Sequence, residues 1–276
     1  MTKFFRALSV VTGLSLVSGC AVEQPDVEEH VGETQGAIIT DNSLVLNALV
    51  LNALVLNALV LNALVLNGAD AGVLTSLAED ASTGEANRQV LHYMVGCALT
   101  PSQSVTYTYT DATGLHSVTE RGAIGLAPQW ATGRLDEAGK RLVSACLAAR
   151  ANYYGIPVDL SLRADVDVLE QNTSPYELGL YNRIEGAFWG NLFSETPYIR
   201  SCYKPENVAH SRAKLRDCAA GHLNADGSIS ECGMLQIVGP CTDVCRRLYK
   251  YGGYYTQCDV NSDGDATDLL ITVGLK

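Results

Sequence analysis

The sequence predicts a single α+β domain, held together by disulfide bonds, over residues 73–276. Two observations predict the class. Amphipathic helical segments are mixed with strand-like segments, and the segments do not follow the repeated β–α–β order that is typical of a parallel sheet. A third observation is that this part of the chain carries eight cysteines, an even number that is typical of a disulfide framework. About 200 residues are enough for one well-cored domain.

The first predicted helix begins near Ser82. Ser82 and Glu85 have the spacing of a capping box, in which each side chain bonds the other's backbone N–H. Apolar residues then recur at helical spacing over residues 90–95, so this helix would carry Cys97 into the interior. A β-hairpin is predicted next, because apolar or aromatic residues alternate with threonine from Val105 and residues 111–114 have turn composition.

A second helix is predicted over residues 135–153. Asp136 and Glu137 would lie in its first turn, and Gly155 would end it. Its apolar stripe consists of Leu135, Ala138, Leu142, Ala145, Cys146 and Ala149.

The remaining elements are shorter. Alternating apolar and polar residues predict a half-buried strand over residues 156–162, and Ser174-Pro175-x-Glu177 predicts a short helix that Ser174 caps. Residues 234–238 and 269–273 are apolar enough for two late strands.

The N-terminus has the pattern of an export signal. Lys3 and Arg6 precede an apolar run over residues 7–17, and small residues lead to Cys20. The motif Val-Ser-Gly-Cys at 17–20 resembles the lipobox of bacterial lipoproteins. That resemblance implies cleavage of residues 1–19 and attachment of fatty acids such as palmitate to Cys20. An ordinary cleaved signal with a chance cysteine is the alternative; a spanning helix would need a longer apolar run.

Two low-complexity segments follow the signal. Residues 20–43, rich in acidic side chains, predict a flexible tether. Residues 44–68 repeat the pentad Leu-Asn-Ala-Leu-Val, with asparagine at every fifth position from Asn42 to Asn67. A five-residue period fits neither one helix face nor one strand face. The alternatives are an apolar self-associating or membrane-apposed spacer, a small solenoid-like cap and a spanning helix.

The charge of the chain excludes some partners. Removing residues 1–19 takes away Lys3 and Arg6 and no acidic residue, so the formal charge goes from −11 to −13. Because phosphate-binding surfaces need a positive field, we expect no nucleic acid as a partner and no anionic headgroup. The membrane would be reached through the lipid on Cys20, and the partner of the domain would be an extracellular or envelope ligand.

The cysteines of the domain are predicted to form four disulfides, in a pairing that the sequence leaves open. Zinc is the alternative, since Cys218, His222, Cys232, Cys241 and Cys245 follow one another closely, but no pair has the Cys-x-x-Cys spacing of zinc knuckles. The eight residues are Cys97, Cys146, Cys202, Cys218, Cys232, Cys241, Cys245 and Cys258.

The segment from Asp259 to Asp268 is a candidate calcium site. Its spacing is similar to the first half of the calcium loops of EF-hand and dockerin proteins, and calcium is the one cofactor it suggests. Position twelve is Leu270 instead of a carboxylate, which would weaken binding. A solvated turn before the last strand is the alternative interpretation. The candidate ligands are Asp259, Asn261, Asp263, Asp265 and Asp268.

Glu185 is the candidate acid for catalysis. It precedes Trp189 in a segment with two aromatic residues, and burial against an aromatic ring would raise its pKa. A glycosidase-type mechanism needs a second carboxylate, for which Asp159, Asp165 and Asp167 are the candidates. The structural alternative is a glutamate that pairs with Arg183.

Three motifs of the domain add a resemblance that covers nearly the whole chain. They are GLAPQW at 125–130, VSACLAAR at 143–150 and EGAFWGN at 185–191. Together with the lipobox and the pentad tract, they resemble a set of myxobacterial cell-surface lipoproteins. The resemblance implies a location and a cysteine-stapled domain, and it carries no catalytic residues. Ala21, which replaces the aspartate of retained lipoproteins, implies the outer membrane.

The sequence therefore predicts a lipid-anchored protein of the outer membrane or cell surface with a non-enzymatic binding or adhesion domain. The alternative is an exported hydrolase that uses Glu185 with an aspartate such as Asp159. An open pocket at Glu185 with a second carboxylate would favour the hydrolase, and burial would favour the binding domain.

Overall fold

A computed structural model describes residues 38–39, 81–246, 248–249, 251–259 and 266–276. The predicted signal, the lipidation site Cys20, the pentad tract over residues 44–68 and most of the tether lie outside the described residues, as do Asn261, Asp263 and Asp265. Among the described helices, none combines the length and the apolar character that a membrane crossing requires.

The described residues form an α+β fold. Its helices are α1 (Ala81–Ala98), α2 (Glu137–Arg150), α3 (Asp167–Glu170), α4 (Pro175–Leu180), α5 (Val208–Ala213) and α6 (Cys241–Val244), with 3-10 turns at Pro128–Ala131 and Pro205–Asn207. The strands are β1 (Ile38–Ile39), β2 (Ser104–Asp111), β3 (Gly114–Arg121), β4 (Leu160–Arg163), β5 (Arg183–Asn191), β6 (Tyr198–Tyr203), β7 (His222–Leu223), β8 (Ile229–Ser230), β9 (Leu235–Pro240), β10 (Leu248–Tyr249), β11 (Tyr254–Tyr255), β12 (Cys258–Asp259), β13 (Ala266–Thr267) and β14 (Leu270–Leu275).

Six strands form the central sheet in the order β1-β4-β14-β5-β6-β9, and only the β6–β9 pair is parallel. The edge strand β1 lies in the segment that the sequence predicted to be tether, so the sheet begins earlier in the chain than residue 73. The hairpin β2–β3 forms a separate ribbon that packs on α1, and the predicted hairpin is confirmed.

The sheet is covered on both faces, which corrects the prediction of a half-buried strand over residues 156–162. Helix α2 packs on β5 and β14, and α1 packs in turn on α2. The opposite face carries a smaller apolar cluster that contains Trp189, Tyr255 and Leu270. Strand β4 is consequently buried at all four positions, not half-buried, and it is shorter than residues 156–162.

Helix α4 explains the buried polar residues of β4. Ser161 Oγ donates a hydrogen bond to Glu177 Oε1 at 2.6 Å, and Arg163 donates to Ser161 Oγ and to the carbonyl of Tyr181. Helix α4 itself begins as predicted, because Ser174 Oγ accepts a hydrogen bond from the Glu177 backbone N–H. Polar side chains of β4 are therefore bonded to helix α4 instead of to solvent.

The ends of the two long helices differ from the prediction. Ser82 lies inside α1 instead of preceding it. Helix α2 begins after Asp136, which caps the N–H of Gly139, and it ends at Arg150, before residue 153. It ends early because the Asn152 side chain bonds the Tyr154 N–H and the Ile156 carbonyl, which offers the backbone an alternative to the helix.

The apolar stripe of α2 is buried as predicted except at Ala138, which is exposed. The two late strands are confirmed, with slightly different bounds, as β9 and β14.

Four disulfides are present in the described domain, which confirms the predicted framework. Cys97–Cys146 joins α1 to α2, Cys202–Cys241 joins β6 to α6, and Cys218–Cys232 and Cys245–Cys258 close short loops. All eight cysteines of the domain are used, so the zinc alternative is not the arrangement found.

Candidate functional site

Glu185 is enclosed in the fold and is not at a cleft. It lies on β5 where the pairing with β14 skips one residue, since Val273 pairs with Gly186 and Gly274 pairs with Ile184. Such an extra residue re-aims a side chain. The Glu185 carboxylate accepts hydrogen bonds from Arg216 Nε at 3.1 Å and Arg216 Nη2 at 2.9 Å.

The partner of Glu185 is thus Arg216, and the predicted pairing with Arg183 is wrong. Arg183 is exposed at the start of β5. Arg216 is fully buried, and its guanidinium also donates to the carbonyls of Ala149 and Ala151 at the end of α2. The ion pair therefore ties β5 to the C-terminus of α2.

Burial raises the pKa of Glu185, and this effect outweighs the charge and hydrogen bonds of Arg216, which lower it. The charge of Asp217 adds to the rise. Glu185 itself is 2 % exposed. The cavity that it lines with Arg216 and Asp217 is too small to admit a water molecule, since the volume open to one is about 0 Å³. The raised pKa would suit a general acid, but a substrate has no access to the enclosed carboxylate of Glu185.

The predicted carboxylate partners lie elsewhere. Asp159 is at the surface and forms an ion pair with the Lys276 ammonium. Asp167 begins the short helix α3, and Asp165 contributes a charge near Tyr254. The carboxylate that the fold brings near Glu185 is Asp217, which no sequence pattern indicated.

Asp217 also belongs to a second polar cluster, which no motif of the sequence indicated. His222 Nδ1 donates a hydrogen bond to Asp217 Oδ2 at 2.7 Å, and the Tyr153 ring stacks on the imidazole with centroids 3.6 Å apart. The Tyr154 ring meets the imidazole edge-on. Partial burial, followed by the negative charge of Asp217, raises the pKa of Tyr154. The imidazole is therefore held rigidly.

An open cleft lies beside α3, whose last residue, Glu170, forms part of its wall. It has a volume of about 220 Å³, which is less than the roughly 300–1,000 Å³ of pockets for drug-sized ligands. Its walls are formed by Ala164, Glu170, Thr173, Tyr249, Tyr251, Gly252 and Tyr254. We call it the tyrosine cleft.

In the tyrosine cleft, Tyr249 contacts both of the other tyrosines. Tyr249 meets Tyr251 edge-on at 5.9 Å between ring centroids and lies 5.3 Å from Tyr254. Tyr251 is 85 % exposed and Tyr249 is 42 % exposed, whereas Tyr254 is buried.

The Tyr254 hydroxyl donates to the Glu170 carboxylate. Burial and that hydrogen bond raise the pKa of Tyr254, so its phenol stays neutral at physiological pH. A tyrosine-rich run over residues 249–255 was the available signal for this cleft.

The candidate calcium ligands are only partly placed. Asp259 ends β12 opposite Ala266 of β13, and Asp268 is exposed before β14. The other three candidate ligands lie outside the described residues.

Two disulfides of the domain are in contact. The Sγ atoms of Cys202 and Cys245, which belong to different disulfides, are 3.4 Å apart. The Sγ atoms of Cys202, Cys241 and Cys245 all lie within 4.8 Å of one another. We call these residues and Cys258 the sulfur cluster.

Comparisons of the chain with protein-family models, with curated proteins and with solved structures match none of them.

Proposed function

We propose that this chain is a lipid-anchored cell-envelope protein whose α+β domain binds a ligand and catalyses no reaction. The observation that carries the proposal is the tyrosine cleft, which is open to solvent and presents aromatic faces beside a carboxylate. The anchor is proposed from the lipobox-like motif that ends at Cys20. The four disulfides suit an oxidising location outside the cytoplasm.

The chemistry of the tyrosine cleft favours a neutral saccharide. Exposed aromatic rings provide flat apolar surfaces for the C–H faces of a sugar ring, and exposed aromatic residues are frequent binding anchors. Glu170 and the Thr173 hydroxyl, which also line the cleft, can bond sugar hydroxyls. The small volume suits one ring of a longer glycan.

The alternative of a hydrolase built on Glu185 has less support. Its carboxylate is enclosed, ion-paired with Arg216 and separated from Asp159, which pairs with Lys276 at the surface. A general acid must come within hydrogen-bond reach of its substrate. The burial of Glu185 therefore supports a structural role and favours the binding domain.

The proposal is tested by affinity electrophoresis of the purified mature chain in gels that contain neutral polysaccharides, followed by titration with the oligosaccharide that retards it. We expect Tyr251→Ala to weaken binding about fivefold or more, as truncation of a binding anchor costs more than about 1 kcal/mol. Tyr176→Ala is the matched control, because Tyr176 is 78 % exposed and is not among the residues that line the cleft.

The melting temperatures of both variants should match that of the wild type, which separates loss of binding from loss of folding. Equal retardation of wild type and Tyr251→Ala would contradict the assignment of the cleft. If none of the neutral polysaccharides retards the wild type, the proposal that the ligand is a neutral saccharide is contradicted.

A further inference from the structure

The sulfur cluster places two disulfides where they can react with each other. Cys202 Sγ and Cys245 Sγ are 3.4 Å apart, within the roughly 3–3.5 Å separation of reacting atoms in a near-attack arrangement. Among the described residues, the third ligand-type side chain beside Cys218 and Cys232 is the carboxylate of Asp217, not another sulfur. The contact between Cys202 and Cys245 is therefore a particular property of this pair of disulfides.

The backbone around the cluster suits a change of partner. Cys202 is fixed in the central sheet on β6, while Cys241 begins helix α6 and Cys245 follows its end. The Cys245 N–H bonds the Cys241 carbonyl, so the two cysteines are one helical turn apart on a short segment. Transfer of the bond to Cys202 from Cys241 to Cys245 therefore exchanges two partners that lie on the same short segment.

The four sulfurs differ in access. Cys202, Cys241 and Cys258 are buried, whereas Cys245 is partly exposed. An external reductant would therefore meet the Cys245–Cys258 disulfide first, and the Cys202–Cys241 disulfide lies behind it.

We propose that the sulfur cluster is an internal thiol–disulfide exchange site that passes two electrons from an external dithiol to a buried disulfide. The dithiol reduces Cys245–Cys258 and is itself oxidised to a disulfide, which leaves thiols on Cys245 and Cys258. The Cys245 thiolate then attacks Cys202 Sγ. A Cys202–Cys245 bond forms, the Cys202–Cys241 bond breaks, and Cys241 leaves as a thiolate that takes up a proton.

The exchange leaves the oxidation state of the protein unchanged after the first step. One disulfide is present before and after the attack, and the two thiols move from Cys245 and Cys258 to Cys241 and Cys258. The reduced protein thus has two disulfide isomers, which differ in whether β6 is bonded to the start or to the end of α6. This activity is separate from ligand binding at the tyrosine cleft.

The variant Cys258→Ser tests the exchange directly, because it leaves Cys245 without its partner beside an intact Cys202–Cys241 disulfide. The purified variant is alkylated with iodoacetamide under native conditions, digested and mapped by mass spectrometry. We expect the label on Cys241 as well as on Cys245, together with a peptide linked through Cys202 and Cys245. Label on Cys245 alone would overturn the proposal.

The matched control is Cys232→Ser, which leaves Cys218 without its disulfide partner and beside the Asp217 carboxylate instead of a second disulfide. Its label should remain on Cys218, and spread of label to other cysteines there would mean that exchange is not specific to the sulfur cluster.

A second measurement covers the case in which Cys258→Ser fails to fold. The wild-type protein is treated with one equivalent of dithiothreitol, quenched and mapped in the same way. A Cys202–Cys245 linked peptide is expected. Recovery of Cys202–Cys241 as the only linkage of Cys202 in the molecules with free Cys258 would overturn the proposal.

Discussion

At Glu185, a single extra residue in a strand decides what the side chain does. A regular strand would turn Glu185 according to strict alternation, but the bulge opposite β14 breaks the alternation at this position. Its carboxylate therefore meets Arg216, which is 31 residues away in sequence. Sequence patterns show neighbours such as Arg183, and they contain no signal for a bulge or for a distant buried arginine.

The role of this ion pair can be tested by removing one charge. Arg216→Met leaves the Glu185 carboxylate and the carbonyls of Ala149 and Ala151 without their donor, so we expect a loss of about 3–5 kcal/mol in the free energy of unfolding. Urea denaturation of the oxidised protein measures it. Arg183→Met is the control and should change the stability by less than about 0.5 kcal/mol, since Arg183 is exposed.

Comparable losses in the two variants would contradict the structural role of Arg216. If both losses were small, Glu185 would not depend on this partner.

At the scale of elements, the sequence predicted those whose signals are local. The β2–β3 hairpin and the capped start of α4 follow from alternation, turn composition and the Ser174 side chain, all within a few residues. Strand β4 was predicted only in part, because its polar positions suggested a solvent-facing side. Helix α4 covers these polar positions, and the residue pattern of β4 alone does not predict such long-range packing.

The candidate site shows the same division. The tyrosines at 249, 251 and 254 are visible as a run, but Glu170 joins them only through the position of α3. The pairing of the eight cysteines likewise depends on the fold, since the number of cysteines predicts bridges and says nothing about partners.

The start of α2 gives a prediction for an element. Asp136 accepts a hydrogen bond from the Gly139 N–H at 2.7 Å, so Asp136→Ala should destabilise the domain by about 0.5–2 kcal/mol. Asp136→Ser retains a capping oxygen and should lose distinctly less. Thermal unfolding followed by circular dichroism gives both values, and equal losses would show that the cap is not the source of the effect.

At the scale of the whole molecule, covalent bonds join the layers of the fold. The Cys97–Cys146 disulfide closes a separation of 49 residues and holds α1 on α2, which itself packs on the sheet. Each disulfide is expected to contribute about 2–4 kcal/mol, largely by restricting the unfolded chain. A domain with a net stability of about 5–15 kcal/mol therefore depends on an oxidising location.

That dependence connects the fold to the proposed envelope anchor. The proposed export signal would give the chain access to oxidising conditions, and the proposed lipid on Cys20 would then keep the domain and its tyrosine cleft at the membrane. The four disulfides therefore support export of the chain, because a cytoplasmic chain would keep its cysteines reduced.

The most direct measurement is the intact mass of the protein isolated from its native cells, before and after alkylation without reduction. We predict a chain that begins at Cys20, carries the mass of attached fatty acids and takes up no alkylating agent, because the eight domain cysteines are paired. A chain that retains residues 1–19, lacks lipid and becomes alkylated at several cysteines would contradict the account.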